Sequence, residues 1–568
     1  MGKMCKKTNN KSIHKGCGVL MQLLAAGFFL MSTIPTLAQS ERTEIDLIKS
    51  RLAAQEEQIV QLHRRLEEQS KLIERVLQTH SNTTGHSNGN IDPRSSGVER
   101  KVSSVPMVPA VDQNAAAKSS NGSSQVVADT ATPSPLSFRI GATSLTPIGF
   151  MDFTAVMRDK NVGSGIGTNF GAIPFNNTVF GHLRDYRFSA QNSRLGMRLD
   201  TSLKGLKVLG YLETDFMGIL PGNVAVSSNS DTQRLRLFWV DMRKEKTEFL
   251  AGQSWSMLTP NRKGLSPLPA DIFLTQVIDP NYHVGLVWSR NPQVRLVYHA
   301  NETVTLGLSL EAAEQYAGGS SGSGTITLPA ELVPSYLQQL NTGNSFFTVP
   351  NPHQDLIAKV AFDPKVRDRS MHFEVAGLLT RLAFFNPLSN RSFKSAGGGG
   401  SVNFNIELVK KLQLYVNTFY NDGGGQFVFG LGPELIIQGD GSPSLVHSAS
   451  TVNGLEYQAT PQTRLYGYYG GAYFQKNVAI DPSNGRPVGF GYPGSPSNHN
   501  RSIQEASVGF THTFWRDPNY GAMQLMVQYS YLVRHPWYVA PGQPGGAHLN
   551  MYYLNLRYTL PGAPPGQK

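Results

Sequence analysis

The stretch Thr303-Val304-Thr305-Leu306-Gly307-Leu308-Ser309-Leu310 decides the fold, because every second residue is aliphatic and the residues between are small or polar. Side chains of a β-strand alternate between its two faces, so this stretch has one apolar and one polar face. The same period recurs in residues 402–408 and 412–417, and less regularly in residues 523–528. Such segments, about ten residues long, are typical of strands with lipid on one face and water on the other.

The connections between these segments alternate in length. Short turns are expected at residues 202–205, 241–246, 299–302, 363–369, 409–411, 459–462 and 516–519. Long loops are expected at residues 159–186, 216–232, 257–285, 315–353, 383–395, 422–450, 476–501 and 534–547. This alternation predicts an all-β transmembrane barrel of about 16 antiparallel strands over residues 136–560, with both ends on the short-turn side.

Aromatic residues cluster near the predicted strand ends, where they would form a belt at the level of the lipid headgroups. They are Phe150, Phe216, Trp239, Trp255, Tyr420, Tyr469, Phe514 and Tyr558. The alternative fold is a soluble β-sandwich or propeller, which usually has shorter and more equal connections.

Residues 1–38 are typical of a secretory signal peptide. A lysine-rich start is followed by the apolar run from Val19 to Leu30 and by Thr36-Leu37-Ala38 as a cleavage site. The alternative is an uncleaved signal anchor. Both cysteines, Cys5 and Cys17, precede the cleavage site, so we expect a mature chain without thiols or disulfides.

Residues 39–80 have a seven-residue repeat, which predicts a periplasmic α-helical coiled coil. Isoleucine at several core positions favours three strands, so we expect this segment to trimerise the chain. The predicted core residues are Ile45, Ile48, Leu52, Gln55, Ile59, Leu62, Leu66, Gln69, Ile73 and Val76. The alternative is a lone amphipathic helix. Residues 81–135, rich in Ser, Asn, Gly and Pro, are interpreted as a flexible linker, and residues 561–568 as a C-terminal extension.

The composition excludes a multi-helix membrane protein, because the mean hydropathy of the 568 residues is −0.25. Residues 136–568 contain 35 Lys and Arg against 28 Asp and Glu. In an exported chain this surplus points to small anions rather than to nucleic acid as partners.

The polar faces of the strands carry the candidate pore residues. If Leu195, Met197 and Leu199 face lipid, Arg194 and Arg198 face water. The same reasoning places Arg234 and Arg236 inside, opposite Leu235, Leu237 and Trp239. The predicted anion-selective lining consists of Arg194, Arg198, Arg234, Arg236, Arg295, Tyr211, Glu213 and Asp215. The alternative is that these arginines only pair with nearby acids and stiffen the wall.

The long loop at residues 257–285 is a candidate constriction, because its prolines would stiffen a loop folded into the pore. Its charged residues are Arg262, Lys263, Asp271 and Asp279. The alternative is an ordinary surface loop. A Gly318-Gly319-Ser320-Ser321-Gly322 match to a nucleophile motif lacks the strand-to-helix context that such a motif needs. We therefore expect neither an enzyme nor a cofactor or metal.

Four runs together resemble the DcaP-like outer-membrane porins. They are Asn192-Ser193-Arg194-Leu195-Gly196-Met197-Arg198, residues 209–216, residues 250–256 and Asn291-Pro292-Gln293-Val294-Arg295. The similarity covers residues 140–310 well and later strands by pattern only. It implies a trimeric sixteen-stranded channel in the bacterial outer membrane, in a family some of whose members prefer dicarboxylate-type anions.

We therefore expect a porin for passive diffusion of small hydrophilic solutes, with a preference for anions. One alternative is a structural tether whose coil binds peptidoglycan and whose barrel is only an anchor. Another is a transporter dedicated to one class of substrate.

Overall fold

A computed structural model describes residues 134–561, except residues 219–231, 320–321, 344–348 and 367–368. The predicted signal peptide and coiled coil, and all of the predicted linker but its last two residues, lie outside the described residues. So do residues 562–568. Among the described residues, no helix is long and apolar enough to cross a membrane.

Sixteen strands, counted over the described residues, form one antiparallel barrel. They are β1 (Thr143–Arg158), β2 (Asp185–Ser189 and Arg194–Leu203), β3 (Leu206–Asp215), β4 (Arg234–Lys244), β5 (Thr247–Trp255), β6 (Arg290–His299), β7 (Val304–Ala312), β8 (Gln354–Phe362), β9 (Arg369–Asn386), β10 (Arg391–Val409), β11 (Leu412–Asp422), β12 (His447–Gln458), β13 (Thr463–Phe474), β14 (Asn500–Asp517), β15 (Gly521–Pro536) and β16 (Ala547–Thr559).

The first and last strands close the barrel. Strand β1 pairs with β2 on one side, and Phe150 to Arg158 pair with Thr559 to Met551 of β16 on the other. Closure pairs the backbone groups that an open sheet edge would expose to hydrocarbon. The predicted sixteen-stranded antiparallel barrel is confirmed.

Shorter elements accompany the sixteen strands, and two of them extend the wall, because Phe138–Ile140 pairs with the start of β1 and Lys365–Val366 with the start of β9. The short strands are Phe138–Ile140, Lys365–Val366, Leu435–Ile437, Pro443–Leu445, Asn477–Ile480 and Pro487–Phe490. The 3-10 helices are Phe170–Ala172, Val179–Gly181, Ala330–Leu332 and Gly425–Phe427, and one α-helical turn spans Val333–Tyr336.

Strand β7 has the two faces that its sequence predicts. Leu306, Leu308 and Leu310 are exposed on the outer surface, whereas Ser309 and Glu311 are buried on the inner one. Several predicted short turns are tight. Between β2 and β3, Lys204 and Gly205 both have positive φ (49° and 81°), as a two-residue type I′ hairpin turn requires.

One predicted long loop is wrong. Residues 383–395 form the end of a long hairpin, in which Phe384 pairs with Phe393 and Asn386 with Arg391. Only residues 387–390 form the turn. The strands β9 and β10, with 18 and 19 residues, continue beyond the length that a bilayer requires.

The predicted orientation of two residues on β4 is also wrong. The pairing of β3 with β4 shifts by one residue, because Glu213 pairs with Leu237 but Thr214 pairs with Leu235. This bulge leaves Arg236 as the extra residue and reverses the alternation beyond it. Leu237 and Trp239, expected on the lipid face, therefore lie buried inside, and Phe238 is exposed outside.

The aromatic belt is confirmed only in part. Tyr420, Tyr469 and Phe514 are exposed on the outer surface, and Tyr558 is partly exposed. In contrast, Phe150, Trp239 and Trp255 are buried inside the barrel. Inside the barrel, Trp255 contacts rings of the loop that follows β5, Trp239 stacks on Tyr211, and Phe150 lies against two guanidinium groups, which the strand pattern alone does not reveal.

Candidate pore constriction

Residues 256–289, here called the inward loop, fold into the barrel instead of covering its mouth. The backbone N–H of Asn261 donates to Glu374 of β9, at 3.0 Å, and that of Ile278 to Gln528 of β15, at 2.8 Å. The N–H of Val284 donates to Glu505 of β14, also at 3.0 Å. Strands β14 and β15 are neighbours, but β9 lies well apart from them around the barrel. Because all three partners point inward, the loop crosses the lumen.

The inward loop is held by apolar packing as well. Leu258, Phe273, Leu274 and Ile278 are completely buried. The ring of Phe273 stacks on Tyr415 of β11, with 4.8 Å between centroids. The loop is thus anchored to the wall by both hydrogen bonds and burial, which fixes its path inside the barrel.

Five arginines line one side of the lumen, and we call them the arginine cluster: Arg194, Arg234, Arg236, Arg290 and Arg557. Arg236 contacts Glu213 at 2.6 Å and Asp215 at 2.7 Å. Arg234 makes two parallel hydrogen bonds to Asp215, at 3.0 and 2.7 Å. Such bidentate pairs fix guanidinium geometry.

The cluster extends across the seam of the barrel. Arg557 of β16 contacts Asp152 of β1 at 2.7 Å, and its guanidinium lies 3.9 Å from the centroid of the Phe150 ring. The guanidinium of Arg194 lies near the same Phe150 ring, 5.2 Å from its centroid, and 3.5 Å from the carboxylate of Glu213.

Arg290, at the start of β6, directly follows the inward loop in the chain. Its guanidinium lies 5.5 Å from the Trp255 ring and 5.8 Å from the Trp288 ring. It lies within electrostatic range of Arg234 and Arg236, and its buried Nη1 has no hydrogen-bond partner. The five guanidinium groups therefore face three carboxylates, those of Asp152, Glu213 and Asp215, and the cluster keeps a positive surplus.

The arginine cluster touches the inward loop through Tyr282. The Nη2 group of Arg236 donates to the Tyr282 hydroxyl at 3.2 Å. Tyr211 of β3 completes this wall, since its hydroxyl donates to Glu213 at 3.3 Å and its ring stacks on Trp239 at 5.3 Å.

Two predicted lining residues lie apart from the cluster. Arg198 pairs with Asp200 at 2.7 Å near the short-turn end of β2, and both side chains are about 40% exposed (39% and 41%). Arg295 is buried on β6 and donates to the carbonyl of Trp255 at 2.7 Å. It lies within electrostatic range of Glu311, Glu248 and Asp241, so its charge belongs to a different set of acids.

Arg262 reaches across the lumen from the inward loop and contacts Glu456 of β12 at 3.0 Å. Burial opposes its charge, but Glu456 and the hydroxyls of Tyr415 and Tyr468 raise its pKa above the ordinary value. Arg262 is therefore a permanent cation tied to the wall opposite the arginine cluster.

The other predicted loop residues differ in their surroundings. Lys263 is exposed. Burial raises the pKa of Asp271, although Ser266, Lys263 and Arg198 lower it. Asp279 is completely buried and accepts from the Tyr553 hydroxyl at 2.9 Å and the Thr168 N–H at 3.3 Å. Asp279 thus joins the inward loop to strand β16 and to the loop after β1.

A group of acidic residues lies at the loop side of β7 and β8, and we call it the carboxyl cluster: Glu311, Glu314, Asp355 and Glu434. Neutral groups hydrogen-bond to all four. Asp355 accepts from Gln426 at 2.9 Å, and Glu434 from the N–H of Tyr316 at 2.8 Å. Burial raises the pKa of Glu314 to about 7, although a hydrogen bond from Asn341 lowers it.

Sequence reasoning missed Arg290, Arg557 and Asp152. Arg557 lies in the alternating run from Leu554 to Tyr558, so its inward orientation could have been predicted from the sequence. Its proximity to Arg194 was not, because that contact depends on barrel closure. The described residues contain no group of three or more His, Cys, Asp or Glu side chains that could hold a metal ion.

The described residues thus form a closed β-barrel of sixteen antiparallel strands. The outer membrane channel DcaP of Acinetobacter baumannii has this fold, with a TM-score of 0.53 and 18% identity over 74% of this chain and 98% of that chain. The resemblance to the DcaP-like porins is thus confirmed at the level of the fold.

Two other porins align less well. The anion-selective porin from Comamonas acidovorans has 11% identity and a TM-score of 0.40, over 73% of this chain and 99% of that chain. OprB of Pseudomonas putida has 10% identity and the same TM-score, over 73% and 94%. These scores are too low to support an argument. No protein-family model and no curated protein matches the chain.

Proposed function

We propose that this protein is an outer-membrane porin through which small hydrophilic solutes diffuse passively, with a preference for anions. The observation that supports this proposal most directly is the arginine cluster facing the inward loop. Its surplus of guanidinium groups lies inside a channel fold, where rings of Arg or Lys favour anions.

The partly exposed arginines give a solute its points of contact. The side chain of Arg234, at the long-loop end of β4, is 36% exposed beside the buried Asp215, and that of Arg464, at the short-turn end of β13, is 34% exposed. An anion that passes either of them exchanges water for a guanidinium group already held by a carboxylate. Such preorganised donors need little rearrangement to receive the solute.

The resemblance to the DcaP-like porins extends the proposal to dicarboxylate-like anions. The test is a swelling assay on liposomes that contain the purified protein, comparing succinate with a neutral solute of similar size. We expect succinate to enter faster. Equal rates would contradict the anion preference, and no entry of either solute would favour a structural anchor instead.

We also propose that the chain is exported by residues 1–38 and trimerises through residues 39–80. The linker of residues 81–135 would then join the coil to the barrel. The support is the heptad repeat together with the isoleucines at its core. Deleting residues 39–80 should convert most of the trimer in detergent to monomer and leave the barrel folded. A trimer of unchanged stability would contradict this role for the coil.

A further inference from the structure

A basic site lies on the outer surface, at the long-loop end of strands β13 to β15. Below it, Tyr469, Tyr473 and Tyr531 are exposed on the lipid-facing side. Lys476 follows the end of β13 by two residues, and Arg501 lies at the start of β14. Both side chains are exposed. The two cations therefore lie just beyond the apolar belt, at the level of the lipid headgroups.

Lys476 and Arg501 converge on one aromatic ring. The Nζ of Lys476 lies 5.8 Å from the centroid of the Trp537 ring, and the guanidinium carbon of Arg501 lies 5.9 Å from it. Both distances are within the range of cation–π attraction. We call these three residues the basic rim site.

The ring of Trp537 is held from several sides. Its indole N–H donates to the carbonyl of Phe474 at 2.9 Å, and Tyr473 contacts it edge-on at 6.1 Å. The backbone of Gly491 passes so close that a Cβ there would lie 2.7 Å from the indole. The ring is therefore a fixed platform between the two cations.

Arg501 is directed outward by an irregularity of the sheet. The pairing of β14 with β15 shifts between Asn500, which is buried inside, and Ser502. Arg501 is the extra residue of this bulge. A bulge can turn a side chain to the other face of the sheet, and here it places the guanidinium of Arg501 beside the Trp537 ring.

The two cations differ from the arginines inside the barrel. In the part of the chain that the structure describes, neither Lys476 nor Arg501 has a carboxylate within ion-pair distance. The interior guanidinium groups of Arg234, Arg236 and Arg557 are each held by carboxylates at 2.6 to 3.0 Å. Two exposed cations that no such carboxylate neutralises, beside an apolar surface, are complementary to an anionic lipid headgroup.

We propose that the basic rim site binds the phosphate of a glycolipid in the outer leaflet. The phosphate contacts Lys476 and Arg501, its sugar lies against Trp537, and its acyl chains cover the tyrosines below. Arg and Lys both donate charge-assisted hydrogen bonds to phosphate. A phosphate free in solution would share this chemistry but would gain nothing from the tyrosines.

Native mass spectrometry of the full-length purified protein tests this proposal. The probes are bis-phosphorylated lipid A and the same lipid without its phosphates. We expect the phosphorylated lipid to bind at least tenfold more tightly. The double variant K476Q/R501Q should lose that difference, whereas the matched variant K244Q/K410Q, which removes two exposed lysines near the short-turn end, should keep it.

The following results would overturn the proposal. One is equal binding of the two lipids, and another is unchanged binding by K476Q/R501Q when that variant remains folded by circular dichroism. The third is displacement of lipid A by inorganic phosphate at equal concentration, which would identify a site for free phosphate. If K476Q/R501Q alters the oligomeric state instead of lipid binding, the site is a contact between copies of the chain.

Discussion

The arginine cluster and the carboxyl cluster are both buried in the lumen, but they handle charge in opposite ways. In the first, Arg236 and Arg234 hold Asp215 at 2.7 Å, so cations and anions compensate each other. In the second, Glu311, Glu314, Asp355 and Glu434 form no ion pair within 4 Å in the part of the chain described here, and neutral groups donate hydrogen bonds to them, although Arg295 lies within electrostatic range of Glu311. Burial then favours the uncharged forms of Glu314 and Glu434, which lie beyond the strand ends.

This difference indicates why the lumen carries an excess of positive charge. Burial, with Asp355 and Glu314 close by, raises the pKa of Glu434 well above the ordinary value. Uncharged acids on one wall do not cancel the excess of guanidinium groups on the other. The anion preference that we propose therefore depends on protons held by the carboxyl cluster as well as on arginines.

The largest effect is expected from removing the central cation of the arginine cluster. Arg236→Gln leaves the buried Glu213 and Asp215 with one partner fewer, and breaking such a buried pair typically costs about 3 to 5 kcal/mol. We expect that loss in the free energy of unfolding, measured with denaturant in micelles. The exposed Lys244→Gln is the matched control. A loss below about 1 kcal/mol would show that the cluster does not stabilise the wall.

The second effect concerns pH and the carboxyl cluster. Because the pKa of Glu314 is raised from its ordinary 4.5 to about 7, the folded barrel retains a proton that the unfolded chain has lost. The associated stability is complete below pH 4.5 and is lost as the pH rises through 7. The loss is on the order of 3 kcal/mol.

Unfolding of the wild type and of Glu314→Gln at pH 4.5 and pH 8 measures this effect. The variant cannot ionise at this position, so its stability should fall less between the two pH values. Parallel curves for the two proteins would mean that Glu314 does not carry the proton.

The smallest effect is expected in ion selectivity. Arg234→Gln and Arg290→Gln each remove one charge from the surplus without removing the central Arg236. We expect either change to lower the anion-to-cation permeability ratio by about twofold, in line with the role of charged rings in pores. Lys244→Gln should leave the ratio unchanged. An equal shift in that control would assign the effect to overall charge.

The strand number and closure were predictable from sequence, because short turns and long loops alternate along the chain. The two faces of a strand such as β7 were also predictable, because the alternation of Leu306, Leu308 and Leu310 with polar residues is local. The inward orientation of Leu237 and Trp239 was not predictable, because the bulge at Arg236 adds one residue and reverses the faces of the strand beyond it. The inward loop was expected from its position and prolines. Its partners Glu374, Gln528 and Glu505 lie on strands far away in sequence, so only the closed barrel brings them together.

The central claim is that the lumen conducts anions in preference to cations, and a reversal potential tests it most directly. Purified protein in a planar bilayer would be measured under a tenfold gradient of potassium chloride at pH 6, where Glu314 is mostly protonated. We predict a reversal potential of the sign set by chloride. A potential of the sign set by potassium, or a bilayer that does not conduct, would contradict it.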